Sequence, residues 1–394
     1  MWGDIAIAFM IAFVTAFMAT PYTIRFAKKV GAVDTPQDPR RINHITMPRL
    51  GGLAVILGFF LSIAYLIIVM VIEKNIDIYK DELYMKLIGF TIGAFIIGVV
   101  CFCDDLKGVP ALIKLTAQVL AGIIVVRFGL RIDYFEVAGF AIPKENVLFY
   151  DVFSVLWIVG ITNAMNLIDG LDGLSTGISI ISCISLLIIF ALNDSPLISI
   201  IFITSLCGSL VGFLPYNFNP AKTFIGDTGS NFLGYSLSVI SIMGVAKTYT
   251  AIVVVAPILV LALPLFDTIF AVIRRLINGK NLKAVIEPDA DHLHHKMIKN
   301  GFTQKQAVLT LYALSAAFGM FAIILLDSGI WKALSFAIIM GLVIAMGYKE
   351  FIQQKLLTDD SEETEKPENV KIEGQIEFDK YDNVEDIEKY RKTN

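Results

Sequence analysis

Apolar runs, most of them close to twenty residues long, follow one another along this chain with only short polar breaks. They fall at roughly 5–24, 51–72, 85–103, 110–127, 149–162, 174–192, 197–214, 230–247, 249–273, 307–327 and 331–348. Such lengths match the hydrocarbon thickness of a bilayer, where a backbone must satisfy its own hydrogen bonds and a helix does so within one segment. The expected fold is an all-α polytopic membrane protein with eleven transmembrane helices. Composition agrees: 56% of residues are hydrophobic and 17% charged, against about 45–50% and about 25% in soluble domains. The first run is too long for a signal-peptide core and is preceded by Asp4 rather than by bases, so it reads as a retained span. The following loop carries Arg25, Lys28, Lys29, Arg40, Arg41 and Arg49. By the positive-inside rule it is cytoplasmic, which puts the N-terminus outside and, after eleven crossings, the C-terminus inside.

The membrane domain is expected to cover 1–350. Residues 351–394, most sharply after Lys355, are dense in Asp, Glu and Lys. That composition buries too little apolar surface to fold alone, so a disordered acidic cytoplasmic tail is expected. Cys101, Cys103, Cys183 and Cys207 lie in apolar runs without zinc or redox spacing and read as buried thiols. No nucleic-acid partner is expected; the bilayer is the surrounding medium.

Alternating the spans puts 25–50, 104–109, 163–173, 215–229 and 274–306 on the cytoplasmic side. Nearly every chemically distinctive residue falls in those segments. Of the opposite loops only 128–148 is long, and its alternation from Arg131 to Val137 suggests a small hairpin.

The stretch Ile161–Gly173, ITNAMNLIDGLDG, spaces Asn163, Asn166, Asp169 and Asp172 three residues apart. In a helix these lie along one slowly drifting stripe. With no Lys or Arg among them, they call for water, a metal or a polar ligand; a polar turn between helices is the plainer reading of any one of them. Asp104-Asp105 ends another span, and adjacent carboxylates near a membrane repel unless a cation screens them. A hard ion such as Mg²⁺ needs only one or two carboxylates, with phosphate and water completing its shell; a surface helix cap competes with that reading. Lys114 lies about two turns into the next span, where a lysine must snorkel or meet an anion.

In Phe224-Ile225-Gly226-Asp227-Thr228-Gly229-Ser230, glycines flank a carboxylate. Ser230 there can cap the next helix and offer free N–H groups to a phosphate. The last cluster, Asp289-Ala290-Asp291-His292-Leu293-His294-His295, holds three of the four histidines of the chain. His292 and His295 would share a helical face. Zinc, a solvated surface cluster and contacts to a sugar phosphate compete for it, and nearby Arg274, Arg275, Lys280 and Lys283 favour the last. Asp267, between Pro257 and Pro264 on one side and polar loop on the other, is expected on a kinked span facing an internal groove.

Taken together, Asp104-Asp105, NAMNLIDGLDGL, FIGDTGS, PLFDT and DADHLHH, in this order, resemble the polyprenyl-phosphate N-acetylhexosamine-1-phosphate transferases over about residues 20–345. The resemblance implies an enzyme that moves a sugar 1-phosphate from a UDP-sugar to undecaprenyl phosphate or a similar lipid phosphate, releasing UMP. It also implies Mg²⁺, with Mn²⁺ as a substitute, and a site on the cytoplasmic face of the plasma membrane. A homodimer is compatible with it.

Pro48-Arg49-Leu50-Gly51-Gly52 and His292-Leu293-His294-His295 look like the UDP-N-acetylglucosamine branch, and the loops and tail look like Gram-positive wall-polymer (teichoic acid type) enzymes. UDP-MurNAc-pentapeptide is the alternative donor, and a Mg²⁺ or anion transporter the distant one. By resemblance, Asp227 is the principal metal ligand, with Asn166 beside it. Asp104, Asp105, Lys114 and Asp169 form the catalytic group around metal and phosphates. Asn163 and Asn166 line the donor site, Asp172 and Phe224 meet the uracil, Gly226 permits close approach, and His292, His294 and His295 close over the donor. His44, standing where related chains have a lysine, is given no role.

Overall fold

The computed structural model describes residues 2–35, 46–73, 83–133, 136–137, 140–143, 145–245, 251–279 and 292–344. The chain divides into Met1–Ala337 and Ile338–Asn394, and only 338–344 of the second unit are among the described residues. The acidic tail, Lys280, Lys283, Asp289, Asp291, Arg40, Arg41 and His44 lie outside them.

The described chain is almost entirely helical: α1 (Trp2–Val30), α2 (Gly52–Ile72), α3 (Leu83–Lys107), α4 (Ala111–Arg127), α5 (Val147–Ile168), α6 (Leu174–Leu192), α7 (Leu197–Asn217), α8 (Gly226–Val245), α9 (Ala251–Val260), α10 (Ala262–Gly279), α11 (Leu293–Lys299) and α12 (Gln304–Ser328). A further apolar helix covers Ile330–Ile344. Among the described residues, α1, α2, α3, α5, α6, α7 and α12 are long and apolar enough to cross a membrane. The other predicted runs fall on α4, α8, the α9–α10 pair and Ile330–Ile344, which are shorter or more polar. The run predicted at 249–273 breaks at Leu261. Pro264 cannot donate a backbone hydrogen bond to the turn before it, which bends the helix there.

Helices α7 and α8 form the centre. Residues 231–244 of α8 are buried throughout, as befits a helix without a solvent or lipid face. Around them, α1 packs on α7 and α2, α3 on α4 and α8, α5 on α8, and α6 on α7 and α12. Helix α1 buries a stripe of Ala8, Ala12, Ala16 and Thr20. Glycines bring backbones into contact on both sides: a Cβ at Gly58 of α2 would stand 2.7 Å from Ala12 O, and one at Gly208 or Gly212 of α7 would stand 2.4 Å from the carbonyl oxygen of Phe9 or Phe13. Small residues facing each other at four-residue spacing suit a membrane, where packing drives helix association.

Two short antiparallel ladders complete the fold. β1 (Val33–Asp34) pairs with β2 (Met47–Pro48), Val33 opposite Pro48, and delivers the 48–52 segment to the site. β3 (Glu136–Val137) pairs with β4 (Phe140–Ala141), which is the hairpin expected in 128–148.

Candidate active site

The site is assembled at the N-terminal end of α8. Phe224 N donates to Pro48 O at 2.8 Å, Gly51 N to Phe224 O at 3.0 Å and Gly52 N to Ile225 O at 2.8 Å, a ladder that joins the two glycine-rich segments. Gly226 has φ +72°, and a Cβ there would stand 1.8 Å from Arg49 O, so no larger residue fits.

Helix α8 begins at Gly226, and Ser230 therefore lies one turn inside it instead of capping it. The cap is Asp105, from the last turn of α3. Its carboxylate accepts from Asp227 N (2.9 Å), Thr228 N (2.9 Å) and Thr228 Oγ1 (2.6 Å), with Arg49 Nε 3.8 Å away. A buried carboxylate on first-turn N–H groups satisfies orphan donors and complements the helix dipole. The N–H groups expected to be free for a phosphate are thus occupied by the protein itself.

Asp104, one residue earlier and about 100° around the helix, points elsewhere. Lys114 Nζ donates to Asp104 Oδ2 at 2.8 Å and to Asp227 Oδ2 at 2.6 Å, and Val109 N also donates to Asp104. Lys114, expected about two turns into a span, lies in the first turn of α4, which begins at Ala111, and the anions it meets there are two carboxylates.

Helix α5 runs to Ile168, so Asn163 and Asn166 are helical and Asp169 is its C-cap. Asn166 Nδ2 donates to Ser230 Oγ (2.9 Å), linking α5 to α8. Asp169 accepts from Ser175 Oγ at 2.6 Å. Burial pushes its carboxyl up to about 7; the Ser175 hydrogen bond opposes this, and the charges of Asp227 and Asp105 add to it. Asn163 sits behind the carboxylates: its Nδ2 donates to Gln118 Oε1 (2.6 Å), Gln118 Nε2 donates to Asn231 Oδ1 (2.9 Å), and Asn231 Nδ2 donates to Asp227 O (2.9 Å). Asp172 faces another turn, accepting from Asn219 Nδ2 (3.0 Å) and Ala221 N (3.1 Å).

His292 is the N-cap of α11 in extended conformation, so it does not share a helical face with His295. Its Nδ1 lies 2.8 Å from Asp267 Oδ2, and Leu293 N donates to Asp267 Oδ1 at 2.9 Å. Asp267 therefore ties the histidine segment to α10. The ring of His294 stacks beside those of His292 and His295 and covers Gly170, where a Cβ would stand 2.1 Å from Nε2. It is 2% exposed, and among the described residues neither of its ring nitrogens has a hydrogen-bond partner.

Burial lowers the His294 pKa to about 4, aided by the charge of His295 and opposed by that of Asp267. Its unfolded value is 6.5, so the unfolded segment binds more protons between those pH values. The segment is destabilised as pH falls from about 6.5 to about 4 and not below, by roughly 3 kcal/mol at most. Protection factors of the α11 amides, with the intrinsic base-catalysed exchange rate divided out at each pH, should fall across that window and stay flat in His294→Phe.

Asp104, Asp105, Lys114 and Asp227 thus meet directly, Asn166 joins through Ser230, and Asp169 lies within their field. The half-buried Phe224 and the buried Gly226 border this group. Sequence reasoning missed Gln118 and Asn231 as the link behind it; a lone glutamine in an apolar run was the available signal. Among the described residues no three His, Cys or acidic side chains converge on one point. The four carboxylates Asp104, Asp105, Asp169 and Asp227 nevertheless face, among the described residues, Lys114 and Arg49 as cations.

Residues 87–245 match glycosyl transferase family 4. The chain is 39% identical to a probable undecaprenyl-phosphate N-acetylglucosaminyl 1-phosphate transferase of Bacillus subtilis, over 87% of this chain and 90% of that one. It is 29% identical to a decaprenyl-phosphate N-acetylglucosaminephosphotransferase of Mycobacterium tuberculosis, over 78% and 79%. A phospho-N-acetylmuramoyl-pentapeptide-transferase of Staphylococcus epidermidis is 35% identical over 59% of this chain and 74% of its own.

Proposed function

The chain belongs to glycosyl transferase family 4, and from that premise we propose that it transfers N-acetylglucosamine 1-phosphate from UDP-N-acetylglucosamine to undecaprenyl phosphate. The product would open a lipid-linked route to a wall polymer such as teichoic acid, on the cytoplasmic face of the plasma membrane. The observation that carries this reading is Lys114 clasped between Asp104 and Asp227 where the motifs meet. In the reaction an oxygen of the lipid phosphate attacks the β-phosphorus of the donor. The bond from that phosphorus to the bridging oxygen breaks, and UMP leaves with the electron pair.

A divalent metal fits the residues present, because two carboxylates already converge on one cation and the local charge is in negative excess. Asp227 and the side-chain oxygen of Asn166 would hold Mg²⁺ or Mn²⁺. When bound, the ion neutralises charge on the diphosphate and on the leaving UMP. Lys114, released from one carboxylate as substrate enters, contributes positive charge to the same oxygens. Asp104 sets the position of Lys114, and Asp105 sets the position of α8. His294 closes over the donor, its orphaned nitrogens serving a sugar or phosphate oxygen.

No general base is needed, since a phosphate monoester with a second pKa near 6 is mostly dianionic at neutral pH. Asp104→Asn should accordingly lower kcat without removing a limb of the pH–rate profile; loss of a basic limb would assign it proton abstraction. The overall reading is tested with purified protein, Mg²⁺, undecaprenyl phosphate and radiolabelled UDP-N-acetylglucosamine. Lipid-extractable label, abolished by EDTA, is expected. Turnover with UDP-MurNAc-pentapeptide alone would overturn the donor, and silence with every UDP-sugar would overturn the reaction.

A further inference from the structure

The ends of α3, α4 and α5 remote from the acidic cluster enclose a second polar feature. A recess of about 410 Å³, lined among others by Lys86, Arg127, Gly129, Arg131, Asp133 and Asp151, opens there. Lys86 stands eighteen residues before Asp104 on α3, about 27 Å along a helix. Arg127 stands thirteen residues beyond Lys114 on α4, about 20 Å. The recess is thus separated from the catalytic group by most of a bilayer thickness.

Its walls are fixed by the chain. Arg131 Nε donates to Asp133 Oδ1 at 2.6 Å and Arg131 Nη1 to Asp151 Oδ1 at 3.2 Å. Ile132 N donates to Ser154 Oγ at 2.8 Å, which pins the turn to α5. Gly129, at φ +87°, lets the turn fold back so that a Cβ there would meet Lys86 Cε at 3.6 Å. Both carboxylates of the recess are occupied by Arg131. Lys86 and Arg127 therefore remain as cations with no hydrogen bond or ion pair among the described residues. Three cations stand against two acids in the lining. Lys86 and Arg127 face the concavity without a direct partner among the described residues, so an anion between them balances the excess positive charge while gaining charge-assisted hydrogen bonds. A volume of this size lies within the range of ligand pockets, about 300–1,000 Å³.

We propose that this recess binds the phosphate group of an anionic ligand, supplied by the headgroup of an acidic membrane lipid. The neighbouring flanks of the same helices expose Ile88, Ile123 and Val152, so acyl chains have an apolar surface to follow directly from the recess. Arg and Lys together suit a phosphodiester: the guanidinium can grip both non-bridging oxygens in its planar fork, and the ammonium adds a point charge beside them. Free inorganic phosphate offers the same chemistry without the chains.

The full-length protein in neutral detergent would be titrated with dioleoylphosphatidylglycerol, with dioleoylglycerol, which has the same chains and no phosphate, and with inorganic phosphate. Bound lipid is counted by native mass spectrometry. Saturable binding of phosphatidylglycerol is expected. It should weaken about tenfold or more in Lys86→Gln/Arg127→Gln, the loss of about 1.4 kcal/mol or more, and persist in the charge-retaining Lys86→Arg/Arg127→Lys pair. Competition by inorganic phosphate would support the phosphate site, and tight binding of phosphate alone would assign it a free ion in place of a lipid. Equal affinity of the glutamine variant for phosphatidylglycerol, at an unchanged thermal midpoint, would overturn the proposal. Equal binding of dioleoylglycerol would overturn it as well.

Discussion

Asp227→Ala is expected to lower kcat by about a hundredfold to a thousandfold while leaving the thermal unfolding midpoint unchanged or raised. The Asp227 carboxylate is 2.6 Å from Lys114 Nζ and is the proposed metal ligand, so its loss removes charge complementarity at the transferred phosphoryl group. A single preorganised electrostatic contact of this kind is worth about 10²–10³ in rate. Stability should not follow activity. Asp227 contributes its backbone N–H, not its carboxylate, to the contact with Asp105, and Lys114 keeps Asp104 as a partner. Removing one acid from a crowded group also relieves repulsion. Turnover within tenfold of the unmodified protein would remove Asp227 from the proposed centre.

Asp105→Ala is expected to fail in the opposite way, losing stability and activity together. Three donors at the start of α8 would lose their acceptor inside the protein. Breaking a buried charged network by deleting one partner costs about 3–5 kcal/mol. Asp105→Asn, which keeps an acceptor oxygen of similar shape, should recover part of the midpoint and part of the activity. Asp104→Asn should leave the midpoint nearly unchanged and lower kcat alone. Parallel thermal unfolding and turnover measurements on the three variants separate the two neighbouring acids. A stable, inactive Asp105→Ala would return that residue to the reacting group.

That separation marks where sequence reading ends. Apolar runs located the helices because the bilayer imposes both length and self-satisfied backbone. The resemblance and the polar clusters indicated which segments would meet, and Lys114, Asp104 and Asp227 do meet. Asp104 and Asp105, however, are identical in type and adjacent. Their different tasks depend on which side of α3 faces α8, and that is a property of packing. Likewise, Ser230 looked like a cap because serine caps helices well; Gly226 and a carboxylate 122 residues away start the helix earlier. Gln118 was silent because its partners Asn163 and Asn231 lie 45 and 113 residues off. The link from Asp267 to His292 crosses residues 280–291, so no local pattern announces it.

The contact between α1 and α7 has a consequence for how the protein is made. The α7 glycines that meet α1 at Phe9 and Phe13 are about two hundred residues further along the chain, some 10–40 s of synthesis at about 5–20 residues per second. During that interval α1 has α2 beside it, with Gly58 against Ala12, but its α7 face stays open to the bilayer. Its outward side chains, among them Ile7, Met10, Val14, Phe17 and Met18, make that wait tolerable. Assembly then becomes a late docking of a finished helix, and the delay between insertion and docking is set by the length of chain between them.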